Sequence, residues 1–429
     1  MLREHSTGHT EILFRSRSHA LPVLLTFTFL GILLATETLL VGADFWFKTP
    51  AEGRLISTFE GNNARVQYRF AHVYHDIDPK ASVRYLRRAT ELSPASRLYW
   101  SELSSTCESI GDRTCVDEAT TRLFKLCPMV PLYHWQAAQN ALRNNRIDLA
   151  VQRFRRLLEL DPTYASGVWF SLQNVIAPDT LFQTLLSNRT DSEIKVGYVD
   201  FLSTQEDFDS AYKIWRFIVA HTAPFPFSSA QSYLDRVIDA GRMEEAVQVW
   251  NDLERLGIVS RPGIEKSELV FNGDFEQAPL NAGFDWRSST GLYFRVDFSA
   301  PGAHHGAHCL RVDFTAPRNN EYEPAFQIVP VLAGHTYVLT AYARSEDLTS
   351  DSGPVLRARD SQPPGFDDAV TASTIGTTDW HRLQVSFSTG PATRAIRLSL
   401  WRPVGRDFPM DISGSFWLDE VSLRCTDCA

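Results

Sequence analysis

Three patterns of hydrophobic and polar positions follow one another along this chain of 429 residues. Residues 21–43 are apolar almost throughout, residues 63–260 carry apolar side chains three and four positions apart, and residues 268–425 alternate apolar with polar or small side chains. The spacing of three and four is typical of amphipathic helices, whereas alternation is typical of strands. The sequence therefore predicts a multidomain α plus β protein: an apolar N-terminal helix, a helical solenoid and an antiparallel β-sandwich.

The apolar stretch over residues 21–43 has the length of a transmembrane helix, because a bilayer core about 30 Å thick needs roughly 20 apolar helical residues. Arginines are more frequent in residues 1–20 than just after the apolar stretch, which predicts a short cytoplasmic tail. We expect an uncleaved signal anchor in the inner (cell) membrane, a linker over residues 44–62, and a bulk that is periplasmic or extracellular. The alternative is a cleaved signal peptide with small residues at 41–43.

The helical part has a constant repeat period, as shown by the equal spacing of Pro94, Pro128 and Pro162. This period resembles that of the tetratricopeptide repeat, a unit of about 34 residues in which pairs of antiparallel helices stack on one another. The resemblance implies about five hairpins over residues 63–260 and a groove for a protein partner, which the fold alone does not identify. The period is lost between residues 176 and 192, where we expect an irregular unit.

After a short linker over residues 261–267, the last third of the chain reads as short strands separated by turn residues. It opens with the NGDFE motif at residues 272–276, continues with Trp286 and closes with FWLDEVSL at residues 416–423. These motifs resemble the CenC-type carbohydrate-binding modules of families four and nine, which are galactose-binding-like jelly rolls. The resemblance implies a jelly-roll domain over residues 268–425 that binds a glycan without catalysis.

A glycan groove on such a module combines flat aromatic side chains, which stack on sugar rings, with polar side chains that bind hydroxyl groups. Alternation along the strands suggests which residues lie away from the core. The residues that we expect in this groove are Trp401, Tyr342, Arg344, Arg397 and Gln327. The alternative is an ordinary, half-exposed sheet face with aromatic cross-strand pairs.

Two groups of residues suggest metal binding. The resemblance to the carbohydrate-binding modules implies a structural calcium ion held by Glu276 and Asp419, and the alternative for these carboxylates is a capping or turn role. His304, His305 and His308 have the look of a metal cluster, but they lie in a Gly-rich loop, so we expect solvated histidines there.

The six cysteines allow disulfides, although a chain with this much apolar sequence does not require them. Cys107 and Cys115 flank a predicted hairpin turn, where a bridge would join two helices. Cys425 and Cys428 form a C-x-x-C pair that suits a disulfide, free thiols or half of a zinc site, for which the sequence shows no second half. The remaining cysteines are Cys127 and Cys309.

Composition and motifs limit the function classes. The net charge is −9 without a basic block, which argues against nucleic acid as a partner. The sequence has no serine-hydrolase, zinc-protease, phosphate-loop or dinucleotide motif. Carboxylates such as Asp297, Asp367 and Asp368 suit glycosidase chemistry only if the fold pairs them, and we expect no enzyme.

The first hypothesis is therefore a membrane-anchored, non-catalytic adaptor in polysaccharide export or assembly. Its sandwich binds a polysaccharide and its helical repeats bind a protein partner. The alternatives are a purely structural interaction scaffold that binds no sugar and, least favoured, a glycosyl-bond hydrolase.

Overall fold

The computed structural model describes residues 24–35, 62–221, 224–260, 268–289, 291–316, 319–362, 365–408 and 410–428. The chain folds as two compact units, residues 1–161 and residues 162–429. Helices make up the described part of the first unit, and the second unit contains further helices followed by two antiparallel sheets. The predicted α plus β architecture is thus confirmed.

The prediction of a transmembrane helix is corrected by the structure. Among the described residues, no helix is long and apolar enough to cross a membrane. Within the predicted segment, residues 24–35 are described and are helical (α1). This finding contradicts the predicted single-pass inner-membrane localisation, and it gives no support to the membrane as a partner. Residues 1–23 and 36–61, with the predicted tail and nearly all of the first linker, lie outside the described residues.

The described helices of the first unit pack as consecutive pairs, α2 with α3, α4 with α5, and α6 with α7. Asn63, Asp78 and Asp112 start three of these helices by accepting a backbone N–H group of the first turn, as good N-caps do. The helices are α2 (Ala64–Tyr74), α3 (Pro79–Leu92), α4 (Arg97–Ser109), α5 (Arg113–Leu126), α6 (Pro131–Arg143) and α7 (Ile147–Leu160). The repeat period seen in the sequence therefore corresponds to helical hairpins.

A disulfide between Cys107 and Cys115 joins α4 to α5, as the sequence suggested, and both cysteines are fully buried. The turn between these helices contains Gly111 with a φ of 74°, a backbone conformation that glycine adopts without strain. Trp100 packs in the same core, and its indole N–H donates to the Pro94 carbonyl at 2.9 Å. Pro94, one of the equally spaced prolines, and Trp100 thus have structural roles at this hairpin.

The helices of the second unit begin with a short 3₁₀ turn, Pro162–Tyr164. The stretch for which we expected an irregular unit contains a single helical turn that runs into a π-helical turn, Phe182–Leu186. The helices are α8 (Ala165–Leu172), α9 (Pro178–Leu181), α10 (Ser192–Thr204), α11 (Phe208–His221), α12 (Phe227–Asp239) and α13 (Met243–Arg255).

Two five-stranded antiparallel sheets form the predicted sandwich. Sheet A has the order β1-β4-β9-β6-β7, and sheet B has the order β2-β3-β10-β5-β8. Buried apolar side chains from both sheets, with Trp286, fill the space between them. The strands are β1 (Arg287–Ser288), β2 (Phe294–Ala300), β3 (Cys309–Ala316), β4 (Tyr322–Pro330), β5 (Thr336–Leu348), β6 (Val355–Asp360), β7 (Ala369–Val370), β8 (Gly376–Ser388), β9 (Ala395–Arg402) and β10 (Ile412–Cys425).

Within the second unit, the segment that leads into the sandwich packs on α12 and α13. The Trp250 ring meets the rings of Phe271 and Phe284 edge-on at 5.1 and 5.6 Å between centroids. Asp235 of α12 pairs with Arg287 of β1 at 2.7 Å. The helices and the sandwich of this unit therefore share an apolar contact with an ion pair beside it.

Replacing Gly283 with alanine is expected to destabilise this contact by about 2 kcal/mol, because an added Cβ would lie 2.5 Å from the Trp250 ring and overpack it. Gly257 is the matched control: both glycines have a positive φ, but a Cβ at Gly257 meets no atom within 4 Å. The measurement is urea unfolding of the full chain followed by tryptophan fluorescence. Equal losses of stability in the two alanine variants would contradict the close packing at Gly283.

Candidate functional site

The structure distributes the five predicted groove residues over three places. Trp401 and Arg397 lie on the outer face of sheet A, because the alternate residues of β9 fill the core. Tyr342 and Arg344 lie on the outer face of sheet B, and Gln327 is in the interior. The prediction that all five share one groove is therefore wrong.

Gln327 lies between Ala325 and Val329 in the inward-facing phase of β4 and is fully buried. Its side-chain oxygen accepts the Phe271 N–H at 3.1 Å, and its side-chain nitrogen donates to the Phe271 carbonyl at 2.7 Å. Both ends of the amide are thus used to hold the start of the sandwich against β4. Gln327 therefore lies inside the sandwich with both amide atoms bonded to the backbone of Phe271.

Tyr342 and Arg344 are separated from Trp401 by the thickness of the sandwich. In β5, Leu339, Ala341 and Ala343 point into the core, so their neighbours point outward from sheet B. Alternation shows only that a side chain points away from the core, and a sandwich has two outward faces. The strand order, which the sequence did not provide, decides which face each residue occupies.

We use the name sheet A face for a group of six outward side chains on β4, β6 and β9. Strand pairing sets Ser399 directly between Phe326 and Arg357, and sets Arg397 beside Arg359. The sheet A face consists of Phe326, Arg357, Arg359, Arg397, Ser399 and Trp401. Three cations and two aromatic rings thus share one surface.

Glu323, at the start of β4, holds the arginines of the sheet A face together. Its Oε2 accepts from Arg397 Nη2 at 2.6 Å and Nε at 3.1 Å, and its Oε1 accepts from Arg357 Nη2 at 3.2 Å. Burial alone would raise the pKa of Glu323, but the hydrogen bonds and the charge of Arg397, supported by Arg357, outweigh burial and lower it. The carboxylate therefore stays ionised and fixes two guanidinium planes.

A guanidinium group lies over each of the two aromatic rings of the sheet A face. The Arg397 guanidinium carbon is 3.4 Å from the centroid of Phe326, and that of Arg357 is 4.2 Å from the Trp401 ring, which are cation–π distances. The Trp401 indole N–H donates to Glu321 at 2.6 Å. Trp401 remains partly exposed, so the face presents a fixed indole beside ordered polar groups.

Arg402 was not predicted as a site residue, although its position in β9 alternates with the outward residues and is therefore one that faces the core. It is fully buried, and burial lowers its pKa. Its guanidinium group ties together three loops next to Trp401. The groups that accept its hydrogen bonds are the carbonyls of Asn320, Ser352 and Met410, the side-chain oxygen of Asn319 and the hydroxyl of Ser350.

The outer face of sheet B is covered by contacts among its own side chains. The His304 ring stacks on Tyr342 at 3.8 Å between centroids. The guanidinium groups of Arg344 and Arg311 lie 4.6 and 5.0 Å from the ring of Trp417, which is nearly buried. His304 thus covers the Tyr342 ring and Trp417 is nearly buried, so we take sheet A, with the partly exposed Trp401, as the candidate site.

The two predicted calcium ligands both bind the backbone of the histidine-containing loop before β3. Glu276 accepts the N–H groups of Ala307 and His308 at 2.7 and 2.9 Å, and Asp419 accepts that of His305 at 3.0 Å. The hydrogen bond from the His308 N–H, followed by that from Ala307, lowers the pKa of Glu276. These contacts match the capping alternative, and calcium binding stays a prediction.

Neither a protein-family model nor a curated protein sequence matches the chain. Among solved structures, parts of the chain resemble a CBM4 domain, with 16% identity over 37% of this chain and 99% of that chain and a TM-score of 0.28. The CBM22-1 xylan-binding domain from Paenibacillus barcinonensis Xyn10C gives 18% identity, 37% and 94% coverage and a TM-score of 0.26. MamA gives 13% identity, 39% and 83% coverage and a TM-score of 0.26. Similarities at these TM-scores do not establish a shared function.

Proposed function

We propose that the chain is a non-catalytic adaptor whose β-sandwich binds a carbohydrate on the sheet A face. The observation that carries this proposal is Trp401, a partly exposed indole fixed by Arg357 and Glu321 beside other ordered polar groups. An aromatic ring covers the apolar C–H surface of a sugar, while neighbouring polar groups bind its hydroxyls. Polysaccharide export or assembly is the setting that we propose for such an adaptor.

The polar groups on the sheet A face and the carboxylates of Glu321 and Glu323 beside it suit hydroxyl groups because they include both planar donors and acceptors. A hydroxyl donates one hydrogen bond and accepts others, and guanidinium and carboxylate groups form the stronger, charge-assisted bonds. Contacts among these side chains already order them, so binding costs less side-chain entropy.

The charges on this surface favour a neutral glycan. Three arginines meet three carboxylates: Arg357, Arg359 and Arg397 against Glu321, Glu323 and Asp368. Since the charges balance, no net field attracts an anionic or cationic polymer. We therefore propose a neutral polysaccharide as the ligand class.

The alternative of a purely structural scaffold has one observation in its favour, because the sandwich packs on its own helices. That contact reaches sheet A at its β1 edge, where Arg287 pairs with Asp235. Trp401 lies on β9, which is separated from β1 by β4. The turn between α12 and α13 also approaches Gln362, which follows β6, whereas Trp401 pairs with Val355 at the other end of β6 and is partly exposed.

We propose no catalysis, because Glu323, the carboxylate that binds two arginines of the sheet A face, has a lowered pKa. The general acid of a glycosidase needs a raised pKa, whereas the pKa of Glu323 is lowered. Asp368, one of the carboxylates considered from the sequence, lies 3.8 Å from Arg357 as part of the same charge cluster. These groups are placed to hold arginines, and a glycosyl-bond hydrolase is the least supported hypothesis.

For the helical hairpins we propose a protein partner. Leu98 and Leu132 are half-exposed apolar residues near the starts of α4 and α6, and they are separated by one full repeat period. Exposed apolar side chains at equivalent positions of neighbouring repeats form the kind of stripe that a partner covers. The identity of the partner does not follow from this stripe.

The test of carbohydrate binding is native electrophoresis of the full chain in gels that contain soluble, neutral polysaccharides. We expect at least one polymer to retard the wild-type chain, and we expect Trp401→Ala to abolish the retardation. Tyr342→Ala is the matched control, because it removes an outward aromatic ring from the opposite sheet. Retardation of a folded chain by none of the polymers, or its loss only in Tyr342→Ala, would overturn the proposal.

A further inference from the structure

The end of the chain brings four potential metal ligands together. After β10, Cys425, Asp427 and Cys428 fold back against His335, which precedes β5. One ligand atom from each residue lies within 4.8 Å of the others. His335 is distant from the C-x-x-C motif in sequence, so the motif gives no hint of this neighbour.

Backbone hydrogen bonds position two of these ligands independently of the sulfur atoms. Asp427 Oδ1 accepts the Thr336 N–H at 2.9 Å and lies 3.2 Å from Nδ1 of His335. The Thr426 N–H donates to the Thr336 carbonyl at 2.9 Å. The imidazole and the carboxylate are therefore held against each other by contacts that do not involve the disulfide bond itself.

The two sulfur atoms are joined as a disulfide between Cys425 and Cys428 in this structure. Both residues are only partly buried, so a reductant in solution reaches them. The other disulfide differs in this respect, since Cys107 and Cys115 are fully buried. Reduction under native conditions should therefore begin at the C-terminal pair.

We propose that reduction of the Cys425–Cys428 disulfide by a dithiol converts this cluster into a zinc site completed by His335 and Asp427. The dithiol becomes a disulfide and delivers two electrons and two protons, which yield two cysteine thiols. Zinc then binds both sulfurs as thiolates and releases these two protons to solvent.

The ligand set and its dimensions suit zinc. Two thiolates, an imidazole and a carboxylate are ligands that zinc accepts in a tetrahedral site, where ligand atoms lie roughly 3.3 to 3.8 Å apart. The four ligand atoms lie within 4.8 Å of one another, so they need to move only slightly closer to reach these distances. The two bonded sulfurs need to move apart. A C-x-x-C segment commonly supplies two ligands to one zinc ion. Bound zinc would link the end of β10 to the start of β5.

The experiment measures zinc bound to the full chain after treatment with dithiothreitol, anaerobic desalting, addition of zinc chloride and a second desalting. We expect reduced wild type to retain one more zinc per chain than reduced Cys425→Ser, and we expect the oxidised protein to retain none at this site. Cys127→Ser, which removes a free thiol elsewhere, should retain the zinc. Equal zinc in reduced wild type and Cys425→Ser would overturn the proposal.

Cobalt(II) gives a second readout that does not depend on total metal. Reduced wild type should show the visible absorption of tetrahedral cobalt with thiolate ligands, and His335→Ala should change this spectrum and weaken binding at least about tenfold. His381→Ala is the matched histidine control, with circular dichroism as the check on folding. An unchanged cobalt spectrum in folded His335→Ala would exclude His335 as a ligand and overturn the proposed site.

Discussion

Replacing Arg402 with methionine is expected to lower the free energy of unfolding by about 3–5 kcal/mol, because five acceptors lose the donors of a fully buried guanidinium group. Methionine fills much of the space but cannot donate hydrogen bonds. Removing the buried cation also relieves a desolvation cost, which the lowered pKa of Arg402 reveals. Hydrogen bonds from a charged group contribute about 1.5–3 kcal/mol each, so the loss of five outweighs this relief.

The control for this prediction is Arg406→Met, which removes an exposed arginine from the loop that Arg402 holds. We expect it to change stability by no more than about 0.5 kcal/mol. Urea unfolding of the full chain, followed by circular dichroism, measures both variants. A loss below about 1 kcal/mol in Arg402→Met would show that the three loops do not depend on this guanidinium group.

Replacing Glu323 with glutamine is expected to lower the free energy of unfolding at neutral pH by about 2–3 kcal/mol. The change leaves Arg397 and Arg357 without their shared carboxylate, and the Arg357 side chain is only 6% exposed. Glu321→Gln is the control on the same face, because the Glu321 side chain is 54% exposed and an exposed pair contributes little. Equal losses of unfolding free energy in the two variants would contradict the conclusion that Glu323 holds the two arginines in place.

The difference in stability between wild type and Glu323→Gln should depend on pH. Because the pKa of Glu323 is lowered in the folded state, its stabilising contribution is complete above the pKa of the unfolded state and is lost as the pH falls through the folded pKa. The difference in stability between wild type and Glu323→Gln should therefore be largest at neutral pH and shrink in acid. Thermal unfolding at a series of pH values tests this, and a difference that grows in acid would contradict it.

Hydrophobic periodicity was sufficient to predict the order of the elements. The constant repeat period predicted helical hairpins, and alternation predicted strands, because each pattern follows from burying one face of a helix or a sheet. The transmembrane prediction for residues 21–43 relied on hydropathy and on the length of the apolar stretch, and no helix among the described residues is long and apolar enough to cross a membrane.

The site was harder to predict because it depends on strand order. Trp401 and Tyr342 both point away from the core, but only the pairing of β9 with β4 and β6, and of β5 with β10 and β8, places them on opposite sheets. Gln327 was predicted in the groove as a polar side chain for sugar hydroxyls, yet it is buried and its amide binds the backbone of Phe271. The cluster around His335 joins residues that are distant in sequence, which no local pattern records.

The most direct test of carbohydrate binding on the sheet A face is calorimetric titration of the full chain. The ligand is an oligosaccharide from the polymer that retards the wild-type chain most, and the proteins are wild type, Trp401→Ala and Tyr342→Ala. We predict that affinity falls about 30-fold in Trp401→Ala, equivalent to about 2 kcal/mol, and is unchanged in Tyr342→Ala. Binding by Trp401→Ala with the affinity of the wild type would contradict the proposed site.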